Sequence, residues 1–314
     1  MSNLDASPGE TPCRAPDHVG DRLLEARDVP LGGVRAMQVS RTLPQRVVPT
    51  VGAWCFLDRF GPERVDMTVL PHPHTGLQTV TWPLEGAIRH RDSLGTDTVV
   101  RPGQLNLMTA GRGIAHSEFS LGEAPLLHGL QLWVALPEAA AAIAPTFEQH
   151  ADLPRLERGG LHGVVAVGEL DGAASPATAY TPLLGAELAV EAGAATELPL
   201  RPDFEHAVLV IEGELRVDGE ALPPGPLLYL GLGRESLALA SSSGARLFLL
   251  GGEPFPDELV MWWNFVGRSH EDVVAAREDW ESRDGRFGPV PGHGAERIPA
   301  PPIPPLRLTP RRRG

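Results

Sequence analysis

The residues that could do chemistry gather in two short motifs. PHPHTG at 71–76 sets His72 and His74 two apart, and GRGIAHSE at 111–118 sets His116 and Glu118 two apart. Side chains on a strand alternate between its faces, so both members of each pair would project to one side. Two neutral imidazoles one pleat apart can bind one ion. If the second strand lies beside the first, three ring nitrogens and a carboxylate converge. Spacing alone leaves a plainer reading open, in which a His-x-His in a Pro-containing loop, or an isolated His-x-Glu, is surface polarity without a ligand role.

Such a donor set around a divalent ion would carry a net charge of about +1. Mixed nitrogen and oxygen donors suit Fe(II), Mn(II), Co(II), Ni(II), Cu(II) or Zn(II), and donor type does not choose among them. An octahedral ion would keep open positions, which dioxygen chemistry on a chelating substrate requires. Glu118 could take a proton from a coordinated hydroxyl. The remaining titratable residues say less: His90 and His128 flank the motifs off the ligand spacing, and Glu85, Asp92 and Asp97 read as turn and surface charges. The Gly-rich turns lack the strand, loop and helix succession of a phosphate site. No Ser-His-Asp arrangement can be argued.

The elements that must position these residues read as mostly β. With 35 Gly and 32 Pro among 314 residues, turn formers punctuate short apolar runs such as VGAWCFLDRF, LQTVTWPLEG, QLNLMTA and GLQLWVAL. EAAAAIA after Pro137 reads as a short helix leading into a connector. A second β series runs from Val164 to Gly252, and TWPLEGAIR (81–89) can be laid on VLVIEGELR (208–216), matching Glu85-Gly86 to Glu212-Gly213. Two β series sharing a landmark suggest a duplicated fold. In that register Pro199 and Arg201 stand where the first half has His72 and His74. His206 is alone in the second half and reads as an ordinary, partly buried histidine. HEDVVAAREDWESR (270–283) has the apolar spacing of one amphipathic helix through Val273, Val274, Ala276 and Trp280. The Pro-rich tail beyond it is extended, either loose or laid across a barrel.

The formal charge of −13 argues against direct binding to nucleic acid, Arg311 to Arg313 notwithstanding, and the chain has no lysine. Cys13 and Cys55, one in a polar leader and one in an apolar run, are not expected to form a disulfide. No signal-like or 18-residue apolar stretch occurs, so neither secretion nor membrane insertion is expected, and a reducing cytoplasm fits.

PHPHTGLQTVTWPLEG, MTAGRGIAHSE (108–118), HGLQLWVALP (128–137), GEPFPDELVMWWNFVGRSHEDV (252–273) and RFGPVPG (286–292) resemble bacterial members of the pirin family, within the cupin superfamily. The resemblance covers about residues 20–300. It implies a bicupin of two facing jelly-roll barrels, with one iron in the first and no metal in the second. The organisation expected is a disordered leader at 1–20, a metal-binding barrel at 21–140, a connector at 141–160, a second barrel at 161–267, and a helix with extended tail at 268–314. The family's metal ligands carry over onto His72, His74, His116 and Glu118. Where many relatives read H-x-H-x-G-x-E, this chain has Gln78, expected on the ligand face and hydrogen-bonded to a metal-bound water or substrate. The resemblance further implies quercetin 2,3-dioxygenase activity, a flavonol chelating the metal and being cleaved by dioxygen. The alternative is a metal- or redox-responsive regulator docking on a protein partner.

Overall fold

A computed structural model describes residues 11–13, 21–31 and 37–310. Each half of the chain packs a large antiparallel sheet against a small one, the two-barrel, mostly β architecture expected from the alternating pattern. The strands that build the site are β1 (Trp54–Arg64), β2 (Thr68–His74), β3 (Leu77–Glu85), β4 (Ile88–Asp92), β5 (Asp97–Val100), β6 (Leu105–Thr109), β7 (Ile114–Ser120) and β8 (Leu126–Ala135). The small sheet of the first barrel has the order β2-β7-β4-β5. The large sheet runs from Thr146–His150 through β6, β3, β8 and β1 to Met37–Leu43 and Arg27–Leu31.

In the second barrel, β9 (Leu183–Val190), β10 (Glu205–Gly213), β11 (Leu227–Gly231) and β12 (Ala245–Gly252) form the centre of the large sheet, in the order β9-β12-β10-β11. The two large sheets face each other. This explains why β3 and β8, and the first half of β1, are buried almost throughout instead of alternating between buried and exposed residues: both of their faces are covered. One continuous core joins Val80, Trp82 and Leu107 of the first barrel to Leu209, Tyr229 and Phe248 of the second. Two of the buried indoles bring polar handles that find partners across the interface. Trp54 Nε1 donates to the carbonyls of Leu184 (2.9 Å) and Gly251 (3.2 Å), and Trp82 Nε1 donates to Glu187 Oε2 (2.6 Å).

The chain crosses between barrels more often than the sequence suggests. Arg22–Leu24 pairs with β11 of the second barrel. The segment expected as a connector supplies edge strands to both barrels, Thr146–His150 against β6 and Arg155–Arg158 against Leu161–Leu170. Of the leader at 1–20, only Thr11–Cys13 falls among the described residues, as a short strand; the rest of that expectation, the Cys13 side chain and Arg311 to Arg313 lie outside them. Cys55 is buried, and its thiol donates to the Trp133 carbonyl (3.6 Å). No helix among the described residues is long and apolar enough to cross a membrane.

After the second barrel the chain returns to the first. β13 (Leu259–Trp262) and β14 (Phe265–Gly267) form a hairpin, and Val266 N–H donates to the Thr75 carbonyl (3.1 Å). Helix α1 (His270–Ser282) follows, started by a capping box between Ser269 and Asp272 and buried through Val273, Ala276 and Trp280. The Pro-rich tail lies across it: Trp280 Nε1 donates to the Ile298 carbonyl (2.9 Å), and Ile298 N–H donates to the Pro71 carbonyl (2.8 Å).

Gly76 lets β2 turn into β3. Its φ is +69°, and a Cβ there would sit 2.2 Å from the Val266 carbonyl oxygen. Gly76→Ala must therefore both strain the turn and push the returning hairpin away. It should lower stability by about 1–3 kcal/mol, measured by urea unfolding. An unchanged midpoint would contradict this account of the turn.

Candidate metal centre

β7 lies between the other two strands of the site, with β2 on one side and β4 on the other. Its register places His116 opposite His72 and Asp92, Ile114 opposite His74, and Glu118 opposite His90. Between His116 and Glu118 the pairing with β2 slips, since Glu118 faces Val69, so Leu70 and Pro71 form the extra length of a bulge. Proline suits that position because it has no N–H to give to a ladder. The irregularity leaves the Leu70 carbonyl to accept from His72 Nδ1 (2.8 Å).

His72, His74, His116 and Glu118 are all fully buried. Ligand atoms of His72, His74 and His116 lie within 4.8 Å of one another, as do those of His90, His116 and Glu118. With Nδ1 committed to Leu70, His72 presents the lone pair of Nε2, which is buried with no hydrogen-bond partner. His74 Nε2 and His116 Nε2 face each other at 3.1 Å. Metal–nitrogen bonds of about 2.1 Å would hold cis donors of an octahedron about 3.0 Å apart, and tetrahedral donors about 3.4 Å apart. The observed separation fits a shared ion with near-right-angle coordination, so the residues present fit a metal.

The ring states agree. Burial pushes His72 down to about 3. It holds His74 and His116 well below the usual imidazole range, and the neighbouring imidazoles push the same way. Neutral rings offer lone pairs instead of competing protons. Glu118 Oε1 accepts from Thr81 Oγ1 (3.2 Å), whose strand β3 faces the site from the opposite sheet.

A row of hydrogen bonds runs away from His116. Its Nδ1 lies 3.4 Å from His90 Nδ1, His90 Nε2 lies 3.1 Å from Asp92 Oδ2, and Asp92 Oδ1 accepts from the N–H groups of Leu94 (2.9 Å) and Thr96 (3.0 Å). One proton assignment satisfies the row: His116 Nδ1–H donates to His90, and His90 Nε2–H donates to Asp92, leaving His116 Nε2 for the ion. Burial alone would raise Asp92, but the His90 and Thr96 hydrogen bonds outweigh it and keep the carboxylate ionised. Trp133 packs edge-on against His74 with centroids 5.2 Å apart, and Phe147 stacks on His90 at 4.6 Å.

The structure thus gathers His72, His74 and His116 in one cluster and places Glu118 in an overlapping one with His116 and His90, and it adds two residues that spacing did not. His90 and Asp92, read as a flanking histidine and a surface charge, are buried beside them. The signal was present, since R-H-R-D has the same i, i+2 step as the two motifs, but which strand it would neighbour was not legible. Gln78 departs from its expected place. Its Nε2 donates to Thr109 Oγ1 and to the Thr178 carbonyl, both at 3.0 Å. The turn at Thr75–Gly76 restarts the alternation, so Gln78 and Thr81 point to opposite faces of β3, and Gln78 faces the second barrel with Trp82.

Glu85 and Glu212, the matched landmarks, meet at His128 in a third cluster of potential donors. There Arg59 Nε donates to His128 Nε2 (3.3 Å), so the ring proton sits on Nδ1, and Arg59 and Arg246 both oppose a cation. His206 is fully buried, not partly exposed, and belongs to a separate cavity.

Comparison with known proteins agrees with this geometry. The family profile Pirin matches residues 35–134, and the Pirin C-terminal cupin domain matches 185–288. A Pseudomonas aeruginosa protein, provisionally named a quercetin 2,3-dioxygenase, is 47% identical over 283 residues, 89% of each chain. A Pirin-like protein of Caulobacter vibrioides is 37% identical, covering 90% of this chain and 99% of its own. A crystal structure of a quercetin 2,3-dioxygenase from Acinetobacter baumannii superposes with a TM-score of 0.87 at 38% identity, covering 92% of this chain and 98% of its own.

Two outcomes test the centre. His116→Ala should lose the metal, whereas His90→Ala or Asp92→Asn should bind it about 10–100-fold more weakly, read by competition with a chelator; equal losses in all three would remove the distinction drawn here. Acidification tests the burial. His72 is held at about 3, and His128 and His206 at about 4, against about 6.5 in an unfolded chain. The unfolded state therefore takes up protons first, and stability falls as pH drops from about 6.5 towards 4. The metal-free protein should show its Tm declining through that window, and a flat profile would contradict it.

Proposed function

The chain belongs to the pirin family, and on that premise we propose that it is an Fe(II)-dependent oxidoreductase of the quercetin 2,3-dioxygenase type. One ion per chain is held by His72, His74, His116 and Glu118, and the substrate is a small aromatic chelator such as a flavonol. The observation that carries this reading is the convergence of three neutral, fully buried imidazoles with one carboxylate, the His72 Nε2 lone pair having no other partner. The names of the Pseudomonas and Acinetobacter relatives support the substrate class.

An Fe(II) ion there would polarise a chelating hydroxyl and bring dioxygen beside it. The protein's own residues do the rest. Glu118 is the group placed to accept the proton of the flavonol 3-hydroxyl. Thr81 fixes one of its oxygens by hydrogen bonding, which favours the ionised form before the proton arrives. The neutral imidazoles add no charge of their own, so positive charge at the centre would come from the ion the residues hold. Asp92 and His90 hold His116 in the tautomer that leaves Nε2 towards the centre. The surrounding apolar packing by Trp133 and Phe147 limits competing water.

Reconstitution with Fe(II), followed by flavonol absorbance and oxygen uptake, checks the proposal. Wild type should consume both together. Glu118→Gln should cut kcat by about 10²–10⁴-fold when corrected for the iron it retains. Iron-loaded wild type inert towards flavonols would overturn the enzymatic reading in favour of a metal-responsive protein acting through a partner.

A further inference from the structure

Among the described residues the second barrel holds no comparable ligand set, yet it carries an open-mouthed cavity of about 530 Å³. Pro199 and Arg201, which stand in the shared register where the first barrel has His72 and His74, both line it. The cavity is thus the counterpart of the metal pocket with the ligands replaced. Its walls are apolar, formed by Leu170, Leu183, Leu184, Leu200 and Phe204. Set into them are two polar side chains with nothing to bond. His206 is 0% exposed and neither ring nitrogen makes a hydrogen bond, and the Thr181 hydroxyl is buried in the same state. A buried donor or acceptor left unmatched costs about 1–3 kcal/mol, so such groups ordinarily have a partner.

The charges at the rim decide what kind of partner. Arg201 is paired with Asp203 and faces Glu253 at 3.6 Å, and Asp171 is paired with Arg158 at 2.6 Å. The cations are therefore already neutralised, and Glu169 adds negative charge at the mouth. An anion would meet no free countercharge. Burial holds His206 at about 4, opposed first by the Asp203 carboxylate and then by the Phe204 backbone, so at neutral pH the ring is uncharged and offers one N–H and one lone pair. Thr181 likewise offers a donor and an acceptor. Both match a hydroxyl group, which also donates and accepts. Close packing fixes the imidazole where it stands, since a Cβ on Gly251 would meet His206 Cδ2 at 3.0 Å.

We propose that the second barrel carries a metal-independent binding site for an uncharged, apolar ring compound bearing a hydroxyl group, bound through His206 and Thr181. The site is separate from the iron centre, so its test uses protein stripped of metal, where turnover cannot contribute.

The probe is 2-naphthol, with naphthalene lacking the hydroxyl and 2-naphthoate carrying a charge as comparisons, titrated by calorimetry at neutral pH. Metal-free wild type and His116→Ala should bind one 2-naphthol per chain with equal affinity. Thr181→Val should weaken binding about fivefold and His206→Phe about tenfold or more, the effect of one or two lost hydrogen bonds. Naphthalene should bind about tenfold more weakly than 2-naphthol, and 2-naphthoate should not compete. The wild-type His206 ring nitrogens should shift in a ¹⁵N spectrum on adding 2-naphthol, which keeps the test valid if His206→Phe fails to fold. Absence of binding, affinity unaltered by Thr181→Val with unmoved His206 resonances, or equal competition by 2-naphthoate would each overturn the proposal.

Discussion

An imidazole kept neutral and dry has two nitrogens to satisfy, and a metal takes only one. The arrangement around the centre follows from disposing of the other. His72 gives its second nitrogen to a carbonyl that a bulge has taken out of the strand ladder, and His116 passes its own to His90 and thence to a buried carboxylate. Each solution needs a particular backbone irregularity or a particular neighbouring strand. Three short strands in one register are therefore the least that can hold the centre, and the small sheet of the first barrel supplies them in the order β2-β7-β4.

The opposing large sheet has a different constraint. β3 must present Thr81 to the centre on one face while its other face carries Trp82 into the second barrel. A strand covered on both faces loses the exposed half of its alternation, which is why every residue of LQTVTWPL is buried and its polar side chains at Gln78 and Thr81 are hydrogen-bonded. The second barrel thus serves the first by covering it, whatever else it binds. Buried indoles are large enough to fill such an interface, and the N–H groups that Trp54 and Trp82 bring into it are accepted by carbonyls and a carboxylate of the facing barrel.

These constraints explain what could be read from the chain and what could not. Residues two apart on one strand share a face whatever the strand's neighbours, so His72 with His74, and His116 with Glu118, were legible as pairs. Neighbours are set by topology, and so His90 and Asp92, which share the same step, join the centre only because β4 pairs with β7. Gln78 was misplaced because counting from His74 runs through Gly76, where a positive φ ends one strand and the face assignment starts afresh. The edge strands drawn from 141–160 and from Arg22–Leu24 carry no pattern that names the barrel they join, since a three- to five-residue strand records its alternation but not its partner. His206 reads in sequence as a solitary histidine, and only the fold shows that it is buried at the wall of a cavity.

The hydrogen bond from Ile298 to the Pro71 carbonyl ties the ligand-bearing bulge to a segment made more than two hundred residues later. During synthesis from the N-terminus, His72, His74, His116 and Glu118 all leave the ribosome long before the residues that brace their strand from outside. Val266, which bonds Thr75 next to His74, is also a late arrival. A partly made chain can therefore gather its donor atoms without having the wall that holds them in place. The centre is completed by segments far apart in the sequence, and the finished pocket does not belong to the first barrel alone.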